Sequence, residues 1–353
     1  MYCLGKKLRF SLFGKSHGPC VGGILEGVPA GIIIDRTAVA HDMDLRRPHA
    51  GLGTTRRETD LVEFVQGLQG GKTDGNPLLF IIANEDKDDS AYLPFAETPR
   101  PGHADLPALI KDPHFDIRGG GQFSGRLTAP IVAAGNIAKQ LITPEGISIA
   151  GFTRSIGPVM DLCARDFSAA RGSAHFTTRA CDGETDAQMS AAVQAARQDG
   201  DSIGGIVECQ AIGLPIGFGG TWFEALDAEL AAAVFGIPAC KGVEFGDGFA
   251  LSMMRGSASN DAYRYRDGRV VTESNHLGGI VGGMADGAPV ILRAVFKPTP
   301  SISRSQDTVN LCTGEDATLK IKGRHDPCIV PRAVAAVEAV TALVIADQMY
   351  RGF

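Results

Sequence analysis

The sequence carries few features of a secreted, membrane-bound or metal-binding protein. It has eight cysteines among 353 residues, but no C-x-x-C pair, which argues against a zinc ribbon or a redox dithiol. No apolar run approaches the roughly 18 residues of a membrane span, and the N-terminus lacks the apolar core of a signal peptide. We therefore expect a soluble, cytoplasmic protein with reduced thiols, no membrane partner and no bound metal.

An excess of basic residues is also missing. The formal net charge is -6, whereas a general nucleic-acid binder is usually basic. This argues against a nucleic-acid partner but leaves room for a local basic pocket that binds a small anion. Hydrophobic residues make up 44% of the chain, enough for a sizeable core, and no linker divides it. We expect one domain over residues 1–353.

Glycine is abundant, with 45 residues, nearly twice its average share of about 7%. The glycines cluster at 118–125, 202–205, 217–220 and 278–283, each time among strand-like residues. Glycine at such positions permits a positive φ or a close approach of the backbone to a ligand. The clusters are equally compatible with tight turns between strands.

Hydrophobic periodicity predicts the main secondary-structure elements. Strands are predicted at 8–13, 20–28, 77–83, 203–211 and 289–296. Helices are predicted at 59–69, 124–142, 185–199, 224–235 and 328–349. Strand pairs together with long helices indicate an α+β fold with sheets covered by helices.

Two familiar motifs are present only in part. Residues 14–18 (GKSHG) match the G-x-S-x-G pattern of a hydrolase, but a nucleophile elbow leads into a helix. Here residues 19–25 are strand-like, so a serine hydrolase using Ser16 is only a minor alternative. Residues 71–73 (GKT) resemble the end of a P-loop, but Gln66 replaces its first glycine and a strand follows.

Arginine and histidine recur beside glycine and proline turns. The arginines in such stretches are Arg46, Arg47, Arg56, Arg57, Arg100, Arg118, Arg126 and Arg324. Guanidinium groups match carboxylate and phosphate groups bidentately, so a convergent set predicts an anionic substrate. His17 and His103 lie in glycine-flanked turns, where an imidazole suits acid–base chemistry near neutral pH.

Several longer segments together resemble the chorismate synthase family over essentially the whole chain. In chain order they are FGKSHG (13–18), RRP (46–48), TTRRE (54–58), RPGHAD (100–105), RGGGQFSGR (118–126), IPACKGVEFGDGF (237–249), SNHLGGIVGG (274–283), KPTPS (297–301) and GRHDPCIVPR (323–332). The resemblance implies a β-α-β sandwich of antiparallel sheets flanked by helices, and a homotetramer. It also implies the last reaction of the shikimate pathway.

In that reaction, 5-enolpyruvylshikimate 3-phosphate loses phosphate by 1,4-anti elimination and gives chorismate. The reaction requires reduced FMN but causes no net redox change. The hydrogen that leaves carbon 6 is not acidic, so a protein base alone would face a high barrier, and the cofactor carries the difficult step. A non-catalytic flavin- or anion-binding homologue is the alternative.

The resemblance also implies residue roles. His17 would protonate the departing phosphate, His103 would protonate the reduced flavin near N1, and Asp326 would lie by flavin N5. The implied substrate-binding residues are Ser16, Arg46, Arg100 and Arg126. The implied flavin-binding residues are Gln122, Phe123, Ser124, Pro238, Ala239, Gly282, Lys297, Pro298, Thr299, Pro300, Ser301 and Arg324.

The chain departs from the family pattern at several positions. Lys15 stands where a glutamate is usual, and Gln122-Phe123 replaces a frequent Arg-Ser pair. Leu52, or Gly51 if the gap is placed differently, stands where some members have an arginine assigned to NADP binding. The chain also lacks the long insertion expected in bifunctional members that reduce their own flavin. We therefore expect an external flavin reductase as a partner. Cys328, beside the RHDP segment, is the cysteine to examine for redox sensitivity.

Overall fold

A computed structural model describes residues 2–48, 52–53, 58–86, 92–321 and 326–352 of the chain. The α-helices are α1 (Arg36–Arg46), α2 (Asp105–Lys111), α3 (Thr128–Ile142), α4 (Phe167–Gly172), α5 (Gly183–Gln198), α6 (Leu226–Phe235), α7 (Gly256–Ser259) and α8 (Val330–Arg351). Short 3-10 helices lie at Leu93–Ala96, Arg118–Phe123, Gly125–Leu127, Thr143–Glu145, Ser173–His175, Trp222–Glu224 and Gly248–Met253.

The strands are mostly short and form antiparallel pairs. They are β1 (Tyr2–Leu4), β2 (Arg9–Gly14), β3 (Cys20–Glu26), β4 (Glu63–Gln66), β5 (Leu68–Gln69), β6 (Lys72–Thr73), β7 (Leu78–Ala83), β8 (Ser148–Ile156), β9 (Val159–Met160), β10 (Gly205–Ile212), β11 (Cys240–Phe245), β12 (Tyr263–Arg266), β13 (Arg269–Thr272), β14 (Ile280–Val281), β15 (Met284–Ala285), β16 (Val290–Phe296), β17 (Ser305–Asn310) and β18 (Glu315–Lys320).

Two five-stranded sheets enclose a layer of helices. The first sheet has the order β1-β2-β3-β7-β4 and the second β11-β16-β10-β8-β9, and neighbouring strands in both are antiparallel. Helix α3 packs on β3 and β7 of the first sheet, α8 packs on β8 and β10 of the second, and α1 contacts both helices. The predicted α+β class and the β-α-β sandwich are therefore confirmed.

The α3–α8 pair forms the centre of the helical layer. Helix α8 is rich in alanine and valine and is buried on almost all sides. The two helices approach so closely at Gly135 that a methyl group there would overlap Ala339. Small side chains therefore set the spacing between the two sheets. None of the helices in the described ranges is long and apolar enough to cross a membrane.

Buried charges connect three helices of this layer. Lys139 of α3 donates hydrogen bonds to Asp42 of α1 (2.9 Å) and to Glu338 of α8 (2.6 Å). Glu338 also accepts from the backbone N–H of Gly151 in β8 (2.9 Å) and from Arg179 (3.0 Å). Burial alone would lower the pKa of Lys139, but the two carboxylates raise it above its usual value. The ammonium group therefore stays charged inside the fold.

One predicted helix is wrong, and one helix of the central layer was not predicted. The helix predicted at 59–69 is wrong, because this stretch contains β4, which pairs with β7, and β5. A long-range pairing here overrides the local pattern. Helix α1, which was not predicted, begins after Asp35, whose carboxylate accepts from the N–H groups of Thr37 and Ala38. This is an ordinary N-cap signal.

A substitution at Gly135 tests the close packing of α3 and α8. Gly135→Ala should lower the free energy of unfolding by about 1–3 kcal/mol, because the added methyl overpacks the contact with Ala339. Gly172→Ala is the matched control, since a methyl at the end of α4 meets nothing within 4 Å. Urea unfolding measures both. Equal stability of the two variants would contradict the packing argument.

Candidate active site

A cavity of about 1150 Å³ lies at one end of the helical layer, where α1 ends and α3 and α8 begin. Ligand sites commonly occupy about 300–1,000 Å³, so this cavity has room for a cofactor and a small substrate together. Most of the predicted site residues line it. These are Arg46, Arg100, His103, Gln122, Phe123, Ser124, Arg126, Pro238, Ala239, Lys297, Thr299, Pro300, Ser301 and Asp326.

The other predicted residues that the structure describes do not line the cavity. Ser16 and His17 are not among the lining residues, but Gly119, which does line the cavity, lies against the ring of His17. Pro298 is not among the lining residues, although both its neighbours are. Gly282 occupies the turn between β14 and β15 and does not line the cavity either. Arg324, like Arg56 and Arg57, lies outside the described residues.

Asp60 holds the first pair of arginines. Its carboxylate binds the guanidinium groups of both Arg46 and Arg126, and all three side chains are buried. Arg126 also donates from Nε to Asn84 Oδ1 (2.8 Å) and from Nη2 to the carbonyl of Ala83 (2.9 Å). Asp60 itself has a φ of 53°, a left-handed conformation that is strained for a residue with a side chain.

Burial and neighbouring charges shift the pKa values of this group. Burial would raise the pKa of Asp60, but the charges of Arg46 and Arg126 lower it below its usual value. Burial lowers the pKa of Arg46 to about 10, although Asp60 opposes the shift, and the nearby charges of Arg332 and Arg126 add to the lowering. Glu58 and Arg47 also belong to this group, with Glu58 Oε2 3.9 Å from Arg126 Nη2 and Arg47 Nε 3.9 Å from Asp60 Oδ2. Three arginines thus face two carboxylates, and one positive charge is left for an anionic ligand.

Asp105 holds the second group, at the start of α2. Arg100 donates to its carboxylate from Nε (2.7 Å) and Nη2 (2.8 Å), and His103 Nδ1 lies 2.5 Å from Asp105 Oδ1. Burial would raise the pKa of Asp105, but the hydrogen bonds from Arg100 and His103 lower it well below its usual value. Arg100 also donates from Nη1 to Ser301 Oγ (3.1 Å).

The contact with Asp105 orients the imidazole of His103. An ionised carboxylate only accepts hydrogen bonds, so the short Nδ1–Oδ1 contact requires a proton on Nδ1. Nε2, which lies 3.4 Å from Arg100 Nη2, is then the ring nitrogen without a proton when the imidazole is neutral. This arrangement resembles the Asp–His pair of a serine protease, in which the carboxylate fixes the tautomer and orientation of the ring.

Asp326 belongs to a third group, at the start of α8. Its carboxylate binds Arg332, and Arg332 in turn donates from Nε to the carbonyl of Arg46 (3.0 Å). The backbone carbonyl of Asp326 accepts from Thr299 Oγ1 (2.6 Å). These bonds connect the predicted acid–base residue to the arginine group and to the 297–301 segment.

The 297–301 segment forms one wall of the cavity. Lys297 donates from Nζ to the carbonyl of Gly102 (2.8 Å), beside His103, and its backbone N–H donates to Ala239 (3.0 Å). Burial and the positive charge of Lys241 lower the pKa of Lys297. Ala239 has a φ of 71°, an unusual conformation of the kind that clusters at ligand sites.

The glycine-rich segment 118–123 lies between the two histidines. Gly119 has a φ of 62°, and a side chain there would overlap the ring of His17. A side chain at Gly120 would come within 3.4 Å of the ring of His103. His17 also meets the ring of Tyr92 edge-on, at 5.1 Å between centroids. These glycines therefore allow a close approach, as well as making turns.

Four site residues were missed by sequence reasoning. Asp60 lay within a stretch predicted to be helical. Asp105 and Arg332 were included only as the last residues of the RPGHAD and GRHDPCIVPR segments and were given no role, and Asn84 carries no local pattern that marks it. A buried cluster of cations needs carboxylates nearby, so a search for acidic residues beside the arginine motifs would have found the two aspartates.

Two other positions discussed from the sequence lie away from the cavity lining. The side chain of Lys15 is 53% exposed, with Nζ 4.0 Å from Asp116 Oδ2. Cys328 is only 2% exposed, and burial raises the pKa of its thiol to about 12. A buried, protonated thiol is inert, so Cys328 is not a redox-sensitive residue in this structure.

Among the described residues, no cluster of three or more His, Cys, Asp or Glu could hold a metal ion.

Comparisons with known proteins agree with one another over nearly the whole chain. The family model described as chorismate synthase matches residues 8–350. A chorismate synthase of Dehalococcoides mccartyi is 45% identical over 350 residues, which cover 99% of this chain and 96% of the relative. One of Thermococcus kodakarensis is 45% identical over 348 residues, with 98% and 97% covered. A crystal structure of chorismate synthase superposes with a TM-score of 0.78 at 28% identity, covering 98% of this chain and 92% of that chain.

The Asp105 group predicts a specific pH dependence of stability. The pKa of Asp105 is lower in the folded protein than in the unfolded chain, where it is about 3.9. Its stabilising effect is therefore present above that value and is lost as the pH falls below it. Asp105→Asn should lower the free energy of unfolding at pH 7 by about 3–5 kcal/mol, and the loss should shrink between about pH 5 and pH 3.

Urea unfolding across this pH range measures the effect. Asp112→Asn is the matched control, because Asp112 at the end of the same helix is exposed. It should change stability by less than about 0.5 kcal/mol. A loss for Asp105→Asn that is the same at all pH values would show that the carboxylate is not charged in the folded state.

Proposed function

This chain belongs to the chorismate synthase family and is a lyase, and we propose that it eliminates phosphate from 5-enolpyruvylshikimate 3-phosphate to give chorismate, with reduced FMN as cofactor. The observation that carries the proposal is the convergence of Arg46, Arg100 and Arg126 on one cavity. The substrate has one phosphate and two carboxylates, and buried guanidinium groups are suited to bind such anions.

The residues around the cavity fit a flavin and a substrate together. Its volume exceeds that of an ordinary single-ligand site. Lys297 and Lys241 place positive charge on the wall, which favours the anionic form of a reduced flavin. Arg46 Nε is buried and has no hydrogen-bond partner, as expected of a donor that a bound anion would satisfy. Lys297, Ser301 and the 238–239 turn would hold the cofactor.

When bound, reduced FMN would lend an electron as phosphate leaves and would take back the electron together with the hydrogen of carbon 6, so the reaction would have no net redox change. The chain's own residues bind, orient and move protons. Arg46 and Arg126 bind the anionic groups of the substrate, and the positive charge of the site stabilises the departing phosphate. His103, oriented by Asp105, delivers its proton from Nε2.

His17 and Asp326 complete the proton transfers in this proposal. His17 would protonate the departing phosphate, and Asp326 would help to relay a proton beside the bound cofactor. His17 does not line the cavity, whereas Gly119, which lies against its ring, does, so this role requires a small movement of the His17 ring or of the 118–123 segment when substrate binds. Catalytic hydrogen bonds are often long before the substrate arrives.

We also propose a cytoplasmic homotetramer that receives reduced flavin from another enzyme. Large apolar side chains such as Trp222, Phe223 and Phe249 are more than four-fifths exposed, as is typical of surfaces that associate. Leu52 is buried in the main core, which supports the absence of a direct NADPH site at this position. The shikimate pathway and aromatic amino-acid biosynthesis are the metabolic setting.

Release of phosphate under anaerobic conditions tests the reaction. The protein is mixed with 5-enolpyruvylshikimate 3-phosphate and dithionite-reduced FMN, and chorismate and phosphate are measured. Equal amounts of both products, and none with oxidised FMN, are expected. A protein that binds FMN but releases no phosphate would be a non-catalytic homologue. NADPH and FMN alone should support no comparable rate, and an equal rate would contradict the need for an external reductase.

The histidine roles predict large losses of activity without loss of fold. His17→Ala and His103→Ala should each lower kcat by about 10²–10⁴-fold, because each removes one acid–base step. His41→Ala, on the exposed side of α1, is the matched control and should keep full activity. Steady-state kinetics with reduced FMN measure all three. Full turnover in either site variant would refute the corresponding role.

A substitution of Lys15, unlike those of the two histidines, should leave the activity nearly unchanged. Lys15→Glu restores the residue that is usual in the family, but the exposed side chain does not line the cavity. The value of kcat/KM should stay within about twofold, since an exposed charge pair contributes little. A changed KM would place this side chain within reach of the substrate.

A further inference from the structure

Asn84 connects the arginine group to the turn that carries His17. It is the first residue after β7, and it lies next to the loop between β2 and β3. The side chain is only 6% exposed. A buried primary amide must satisfy two donor hydrogens and one acceptor oxygen, so its partners show what it holds together.

Every polar group of the Asn84 side chain has a partner. Nδ2 donates to the carbonyls of Lys15 and Gly18, both at 3.0 Å. Oδ1 accepts from Arg126 Nε at 2.8 Å. The backbone N–H donates to the carbonyl of Pro19 (3.1 Å). One buried residue thus binds the His17 loop on one side and a substrate-binding arginine on the other.

The two carbonyls belong to the tight turn that contains His17. The N–H of Gly18 donates to the carbonyl of Lys15 (3.1 Å), which closes a four-residue turn with Ser16 and His17 as its central residues. The amide of Asn84 binds both ends of this turn. It therefore fixes the orientation of the turn as a whole, and with it the direction in which the His17 ring leaves the backbone.

We infer that Asn84 is a positioning residue that aligns His17 with the anion held by Arg126. Because Arg126 is bound to Asp60 and Asn84 together, a movement of the guanidinium group toward a bound anion would be transmitted to the His17 turn. The inference rests on the proposed roles of His17 and Arg126. Asn84 itself does not need to touch a ligand.

Asn84→Asp separates the hydrogen bonds of Asn84 to the His17 turn from its hydrogen bond to Arg126. The remaining carboxylate still accepts from Arg126, but its second oxygen would face the carbonyls of Lys15 and Gly18, to which it cannot donate when ionised. Asn136→Asp is the matched control. Asn136 is 5% exposed, donates from Nδ2 to the carbonyl of Ala38 (3.0 Å), and does not line the cavity.

Steady-state kinetics and histidine NMR test the inference. Asn84→Asp should lower kcat by about 10²-fold, because a displacement of about 1 Å costs this much. The KM should stay within about twofold, since the arginine keeps its acceptor. The Cε1–Hε1 signal of His17, assigned by its loss in His17→Ala, should shift. Asn136→Asp should lower stability similarly but leave kcat and this signal unchanged.

Each alternative outcome overturns the inference. An unchanged kcat would show that the turn needs no alignment, and a raised KM with normal kcat would show that Asn84 serves only Arg126. A His17 signal that does not shift would show that the amide does not fix the turn. If the wild-type protein released no phosphate, the proposed function would fail, and the NMR signal would still decide the role of Asn84.

If Asn84→Asp does not fold, Asn84→Ala removes the same two bonds to the turn without adding a charge. The His17 signal should shift in this variant as well, and kcat should again fall more than in Asn136→Ala. Equal effects of the two alanine substitutions on kcat would overturn the inference.

Discussion

The free-energy cost of removing cations from water is the constraint on which this site depends. Arg46, Arg100 and Arg126 line one cavity and are all buried, and burying unpaired cations costs several kcal/mol per ion. The chain solves the problem with shared carboxylates. Asp60 serves Arg46 and Arg126, and Asp105 serves Arg100 and His103. In the first group, Arg46 Nε is a buried donor without a hydrogen-bond partner, which a bound anion can use.

The sandwich supplies the rigid support for these groups. Helix α1 delivers Arg46 at its end, while α3 and α8 begin beside Arg126 and Asp326. The N-terminus of a helix carries a partial positive charge, so the starts of α3 and α8 add to the attraction for anions. The buried Lys139 pairs with carboxylates of α1 and α8 and thereby fixes the three helices relative to one another.

The sequence predicted the cationic residues better than the groups that hold them. Arginine and histidine beside glycine turns are local patterns, and the strands at 20–28 and 77–83 follow from local composition. Asp60 was hidden in a stretch predicted to be helical, because the pairing of β4 with β7 joins distant residues. Asn84 was missed because its partners lie at positions 15, 18 and 126, and no short pattern encodes such contacts.

In the proposed function, the shared carboxylate of Asp60 holds Arg46 and Arg126 in place for the anionic groups of the substrate. A crystal structure of the protein with FMN and 5-enolpyruvylshikimate 3-phosphate tests this most directly. We predict phosphate or carboxylate oxygens within about 3 Å of both guanidinium groups, while Asp60 keeps its bond to each arginine. A substrate bound in the cavity without contact to either arginine would contradict the account.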